Sequence, residues 1–275
     1  MSVLFTFTEI TTASTNMQIV GHRGASEDAP ENTLESLKLA WEQGAVAAEC
    51  DVMLTKDGQI ILMHDDSTKR TTGNSVDLLV KNTNWNDLKN LDVGSWKESK
   101  WKGVKIPLLR DVLKSIPNGK KLFIEIKSGD NNEGADEKIV EPLLKILNDE
   151  KIKEEKIVFI SFDHGIIKKL KKIAPKYNYF FITTFVSYPG NWIYARDHKE
   201  LESVIKSAIE SKVDGIDLEY TMAIKKSWIE KIKAAGLQVS IWSYAKDDTL
   251  ENAKEMQKIG VDFYTTNFPH HFRHQ

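Results

Sequence analysis

Four acidic side chains, two histidines and two fixed cations fall in short clusters along this chain: His22-Arg23, Glu49-Cys50-Asp51, His64-Asp65 and Glu125-Ile126-Lys127. Glu49, Asp51 and Glu125 offer only oxygen donors, which suits a hard cation such as Mg²⁺ or Ca²⁺ and disfavours zinc. They sit within apolar runs, where unpaired charges are costly to bury, so three unrelated surface acids are the poorer explanation. A histidine side chain ordinarily titrates near neutral pH, so of His22 and His64 one can take a proton while the other gives one. Arg23 presents a planar fork and Lys127 a compact point charge, both matched to an anion. Such a set is the inventory for metal-assisted hydrolysis of a phosphate ester.

These residues need elements that bring them together. Glu49 and Asp51, and likewise Glu125 and Lys127, are spaced i, i+2, which in a strand points both side chains to one face. Short apolar β-type runs alternate with helical-period stretches throughout. Strands are predicted over 18–21, 46–54, 122–126, 157–161, 179–183, 215–218, 238–242 and 263–265, and helices over 33–43, 109–115, 136–148, 164–173, 200–211, 223–234 and 250–259. Eight strands with intervening helices predict an α/β fold, a (β/α)8 TIM barrel, whose chemistry gathers at the C-terminal strand ends. Each cluster lies at or just beyond such an end. Asn32 is expected to cap the first helix, with Glu35 as its capping-box partner, and Glu31 to steady Arg23 or the metal shell.

Two segments break the alternation. After the second strand, Lys56-Asp57-Gly58 signals a hairpin, and the chain returns over 59–63 to deliver His64 to the mouth. The stretch of about 66–103, with Trp85, Trp96 and Trp101, is too long for an ordinary loop and is expected to form a small insertion on the barrel top. The second, 184–199, carries Tyr188, Pro189, Trp192 and Tyr194.

Bulk properties exclude several classes. The net charge of −2 gives no basic field for nucleic acid. No apolar run is long enough to span a bilayer. The lone Cys50 cannot form an intrachain disulfide and should face the strand–helix layer as a core thiol. Residues 1–16 lack early basic residues and a clear cleavage site, so a flexible extension and a cytoplasmic location are expected, with one domain over 17–275. His270, His271 and His274 are expected to lie in a solvated tail.

The ordered blocks Val20-Gly21-His22-Arg23-Gly24-Ala25, Pro30-Glu31-Asn32-Thr33, the run from Glu49 to Asp65, Lys69-Arg70-Thr71-Thr72-Gly73, Leu91-Asp92-Val93-Gly94-Ser95-Trp96, Ile106-Pro107 and Glu125-Ile126-Lys127 closely resemble the glycerophosphodiester phosphodiesterase family, over about 17–269. The resemblance implies a barrel with an insertion at this point and a divalent cation on Glu49, Asp51 and Glu125. It implies general acid and base roles for His22 and His64, and often an aromatic where Trp242 ends the seventh predicted strand, against the substrate's glycerol end. The chain departs from the family at Arg110, near which an acid is usual, and at Asn267, where Asp is common.

The implied activity is hydrolysis of a glycerophosphodiester to sn-glycerol 3-phosphate and an alcohol. Arg23 and Lys127 would neutralise developing charge. The attacking group is either water or the glycerol 2-hydroxyl. Two rival readings keep the same barrel: a lysophospholipase D, which a wide apolar groove at the mouth would favour, and a noncatalytic phosphodiester-binding protein, which would lack a histidine or carboxylate.

Overall fold

In the computed structural model, which describes residues 17–129, 132–187 and 189–273, the sheet closes on itself. Its strands are β1 (Gln18–Gly21), β2 (Ala47–Leu54), β3 (Ile60–Leu62), β4 (Lys121–Ile126), β5 (Ile157–Ser161), β6 (Asn178–Thr183), β7 (Gly215–Glu219), β8 (Gln238–Trp242) and β9 (Phe263–Thr266). Around the ring the order is β1-β9-β8-β7-β6-β5-β4-β2 with β1 pairing β2, all parallel, and β3 added antiparallel to β2. This is the expected eight-stranded TIM barrel, and the predicted strands differ from the observed ones by a residue or so at their ends.

Alternation along each strand sorts side chains into two layers. Val52 and Cys50 on β2 join the large outer core beneath the helices, as expected of a core thiol, whereas Ala47, Glu49 and Asp51 face inward. Phe123, Phe180 and Phe263 fill the lower barrel, their ring centroids 5.3–5.9 Å apart edge-to-face. Gly215 makes room for them, because a Cβ there would come within 2.7 Å of the Phe180 ring.

The barrel helices are α1 (Leu34–Glu42), α3 (Leu109–Ser115), α4 (Val140–Asp149), α5 (His164–Ile173), α6 (His198–Ser211), α7 (Lys226–Ala234) and α8 (Leu250–Ile259). Side-chain caps start several of them: Asp163 accepts from Gly165 and Ile166, Asp197 from Glu200, and Thr249 from Asn252. The cap of α1 is Thr33, which accepts from the Ser36 N–H, and not Asn32 as expected.

Between β3 and α3 the chain forms two 3₁₀ turns and the short helix α2 (Trp85–Leu88). Ile61, Met63, Val80, Leu88, Val93 and Ile106 give this segment a small core of its own. The Asp92 carboxylate ties it together by accepting from the N–H groups of Gly94, Ser95 and Gly103. At the other end of the chain, 269–272 is an ordered 3₁₀ turn whose two histidines remain solvent-exposed, as expected of a solvated tail. His270 pairs with Asp28 at 2.9 Å and His271 stacks on Phe268, because the turn lies where each ring has a partner. His274, Tyr188 and residues 1–16 lie outside the described residues.

Candidate active site

Strand register assembles the acidic cluster. Asp51 and Glu125 are register partners on adjacent parallel strands, and Glu49 lies one pleat earlier on β2. The three present carboxylate oxygens within 4.8 Å of one another. Asp51 is clamped by Asn32, whose Nδ2 donates to its Oδ2 at 2.7 Å and whose Oδ1 accepts from its N–H at 3.0 Å. Asn32 can turn back because it occupies the left-handed region at φ 54°, a conformation Asn tolerates well. Its role is thus to fix an acid, and the helix cap passes to the next residue.

Glu49 Oε2 accepts from the Arg23 N–H at 2.7 Å, while its buried Oε1 has no hydrogen-bond partner among the described residues. Burial and the charges of Asp51 and Glu125 push the Glu49 carboxyl well above its ordinary range. Burial acts on Asp51 in the same direction, but Lys127, His64 and Arg23 outweigh it and hold that group below the carboxylate range. An orphaned oxygen, crowded negative charge and an all-oxygen donor set fit a hard divalent cation.

The two cations flank this cluster. Lys127 Nζ lies 2.8 Å from Glu125 and 3.5 Å from Asp51, whose charges raise it above the ordinary lysine range despite burial. Arg23 reaches Glu31 at 3.0 Å and Asp51 at 3.4 Å. It leaves β1 through a left-handed pair, Arg23 and Gly24, and any Cβ at Gly24 would strike the Ser36 backbone at 2.4 Å. Glycine there lets the turn pack against α1.

The histidines have unlike partners. His22 Nδ1 donates at 2.7 Å to Asn267 Oδ1, an oxygen that also accepts from Ser26 Oγ, so the other ring nitrogen, Nε2, carries the lone pair. Burial and the Arg23 charge push His22 down to about 3. His64 Nδ1 instead meets the carboxylate of Asp65 at 2.7 Å. Arg70 grips Asp65 with two bonds of 2.7 and 2.8 Å and Glu31 with two more of the same lengths. Its guanidinium also lies 5.6 Å from the Trp96 ring, so the segment after β3 supplies a brace for His64 and for Glu31.

His22, Arg23, Glu49, His64, Glu125 and Lys127 line one cavity of about 520 Å³ at the C-terminal strand ends, whereas Asp51, Asp65 and Arg70 do not reach its surface. Its far side is aromatic. Phe162 lies 4.7 Å from Trp192 and 5.6 Å from Trp242, and Trp242 is 5.3 Å from Tyr244, all edge-to-face. Trp242 is fixed by donating to Thr183 O at 3.1 Å. Tyr194 does not join this wall, because Arg196 covers its ring at 4.3 Å. Arg110 lies outside the cavity, paired with Asp149 and Glu150. Sequence reasoning assigned no role to Arg70, Asn267 or Asp217 at this site. Arg70 lay in a recognisable block, but nothing local announced its partners.

The sequence profile of the Glycerophosphoryl diester phosphodiesterase family matches residues 22–271. The chain belongs to this family and is a phosphoric diester hydrolase. It is 30% identical over 253 residues to YhdW of Bacillus subtilis, covering 92% of this chain and 95% of that protein. It is 38% identical over 161 residues to a glycerophosphodiester phosphodiesterase of Caldanaerobacter subterraneus, covering 57% and 63%. An Oleispira antarctica phosphodiesterase solved in complex with the product sn-glycerol-3-phosphate superposes with a TM-score of 0.78 at 27% identity, over 93% of this chain and 95% of that one.

Proposed function

We propose that this protein hydrolyses glycerophosphodiesters to sn-glycerol 3-phosphate and an alcohol with the help of a divalent cation, Mg²⁺ or Ca²⁺. The observation that carries the reading is the convergence of two histidines and a three-carboxylate cluster at one barrel mouth. Glu49, Asp51 and Glu125 would hold the cation, which when bound supplies Lewis acidity toward the phosphoryl group. Arg23 and Lys127 bind the phosphoryl oxygens and meet the charge that develops on them.

The unlike partners of the histidines support a division of labour. His22, buried and backed by a neutral amide, stays unprotonated near neutral pH and takes the proton of the attacking oxygen. His64, whose Nδ1 is held by the Asp65 carboxylate, delivers a proton to the leaving alkoxide. The aromatic wall of Phe162, Trp192, Trp242 and Tyr244 receives the rest of the substrate, and suits a small cationic alcohol such as choline.

The reading is tested by release of sn-glycerol 3-phosphate from glycerophosphocholine, glycerophosphoethanolamine and lysophosphatidylcholine, with Mg²⁺, Ca²⁺ or chelator. The glycerophosphodiesters should show the higher kcat/KM. Faster cleavage of the lysolipid below its micelle threshold would replace this reading with a lysophospholipase D. No cleavage of any diester with either metal would leave a binding protein.

A further inference from the structure

Across the ring from β2, four strands away in either direction, β7 places an acid that the proposed reaction does not use. Asp217 is 2% exposed and lines the cavity floor with Ile160, Ile182 and Thr265. It faces the same space as Glu49 and Glu125 from the opposite wall. Its Oδ1 has no hydrogen-bond partner among the described residues. Ser240, its register partner on β8, stands close enough to influence the carboxyl without reaching hydrogen-bonding geometry. A buried carboxyl oxygen without a partner costs stability, so it persists most readily where a ligand completes it.

We propose that Asp217 binds the terminal hydroxyl of the substrate's glycerol and thereby selects free glycerophosphodiesters over their acylated counterparts. The inference rests on the phosphodiesterase reading above and adds a specificity residue to it. With the phosphoryl group held on the β1–β2–β4 side, the glycerol hydroxyl furthest from phosphorus is the group able to reach across the floor. A carboxyl there satisfies a hydroxyl. It rejects an ester oxygen bearing an acyl chain, because the ester brings no donor and the floor, closed below by the phenylalanine layer, has no room for the chain. The neighbouring orphan oxygen of Glu49 is no substitute, since it lies within the acidic cluster on the facing wall.

The test compares the wild type with Asp217→Leu and Asp217→Asn on three diesters: glycerophosphoethanolamine, its 2-hydroxypropyl analogue lacking the terminal hydroxyl, and bis(p-nitrophenyl) phosphate. The wild type should favour glycerophosphoethanolamine over the analogue by about 10²-fold in kcat/KM, as a site built to bind a hydroxyl does. Asp217→Leu should reduce that ratio to about one while bis(p-nitrophenyl) phosphate turnover stays within about twofold, and Asp217→Asn should keep part of the preference. Calorimetric binding of sn-glycerol 3-phosphate against 2-hydroxypropyl phosphate should show the same collapse without turnover. Survival of the ratio in Asp217→Leu, or a parallel loss on all three diesters, overturns the assignment. A wild type that cleaves glycerophosphoethanolamine but shows no preference for the hydroxyl overturns this inference alone. One that cleaves only bis(p-nitrophenyl) phosphate overturns the glycerophosphodiesterase reading as well.

Discussion

On the β1–β2–β4 side of the mouth, each functional group is gripped by a charged or amide neighbour: Asp51 by Asn32, Asp65 by Arg70, Lys127 by Glu125, His22 by Asn267. On the β5–β8 side the cavity is walled by rings in edge-to-face contact, with Asp217 set into the floor. The first arrangement fixes positions to within a hydrogen bond, as bond-making chemistry requires. The second offers surface and shape, and leaves room for different alcohols. On the proposed function, reaction and selectivity are carried by opposite walls. Substitutions on the charged wall should lower turnover of every substrate, whereas substitutions on the aromatic wall should change the ratio between substrates.

The largest effect is expected at the acidic cluster. Glu49→Ala, Asp51→Ala or Glu125→Ala should cut kcat by about 10³-fold, as loss of a principal electrostatic stabiliser does. Each should also weaken Mg²⁺ or Ca²⁺ binding by calorimetry, and chelation should reproduce the loss in the wild type. Turnover that survives exhaustive chelation would break the comparison at its base.

His22→Ala and His64→Ala should each lower kcat by about 10²-fold or more on all diesters, the usual scale for a positioned acid or base. The fold should persist, measured by circular dichroism, because both rings sit at the mouth and not in the phenylalanine-filled lower barrel. A near-normal rate in either variant removes that histidine from proton transfer.

A smaller, selective change is expected across the cavity. Trp192→Ala should lower kcat/KM for glycerophosphocholine by about 10-fold through KM, while glycerophosphoglycerol changes little, since only the former offers a cation to the ring. Equal losses on the two substrates would assign Trp192 a structural role only.

The smallest effect concerns stability. Burial holds the Asp217 carboxyl up to about 7, against about 3.9 in an unfolded chain. The folded state therefore holds its proton more tightly, and the group's stabilising contribution is full below about pH 4 and lost as pH rises through about 7. Asp217→Asn should raise Tm by a few degrees at pH 8 and less at pH 5. An identical shift at both pH values would show that Asp217 is not protonated preferentially in the folded protein.

The charged wall was largely legible in the sequence because its residues come in local clusters. Glu49 and Asp51 share a face through the two-residue strand period, and the same period sets Lys127 beside Glu125. The hairpin after β2 could be read from Lys56-Asp57-Gly58, and His64 follows from it. The alternation of strands and helices announced the barrel, whose closure then placed all of these at one end.

Other features were decided only by the tertiary structure. Asn32 looked like a helix cap because Asn favours that position, yet a left-handed backbone turned it toward Asp51, 19 residues away. Asn267 meets His22 across 245 residues, and Arg70 meets Glu31 across 39, so no spacing rule could have paired them. His270 and His271 are solvent-exposed, as expected, yet ordered by Asp28 and Phe268, partners that no local signal announced. Nor does the sequence around Asp217 set it apart from any other acid in a strand. Strand period is a local property and can be read along the chain; which strands face each other across a closed ring depends on register and closure, and only the folded barrel supplies those.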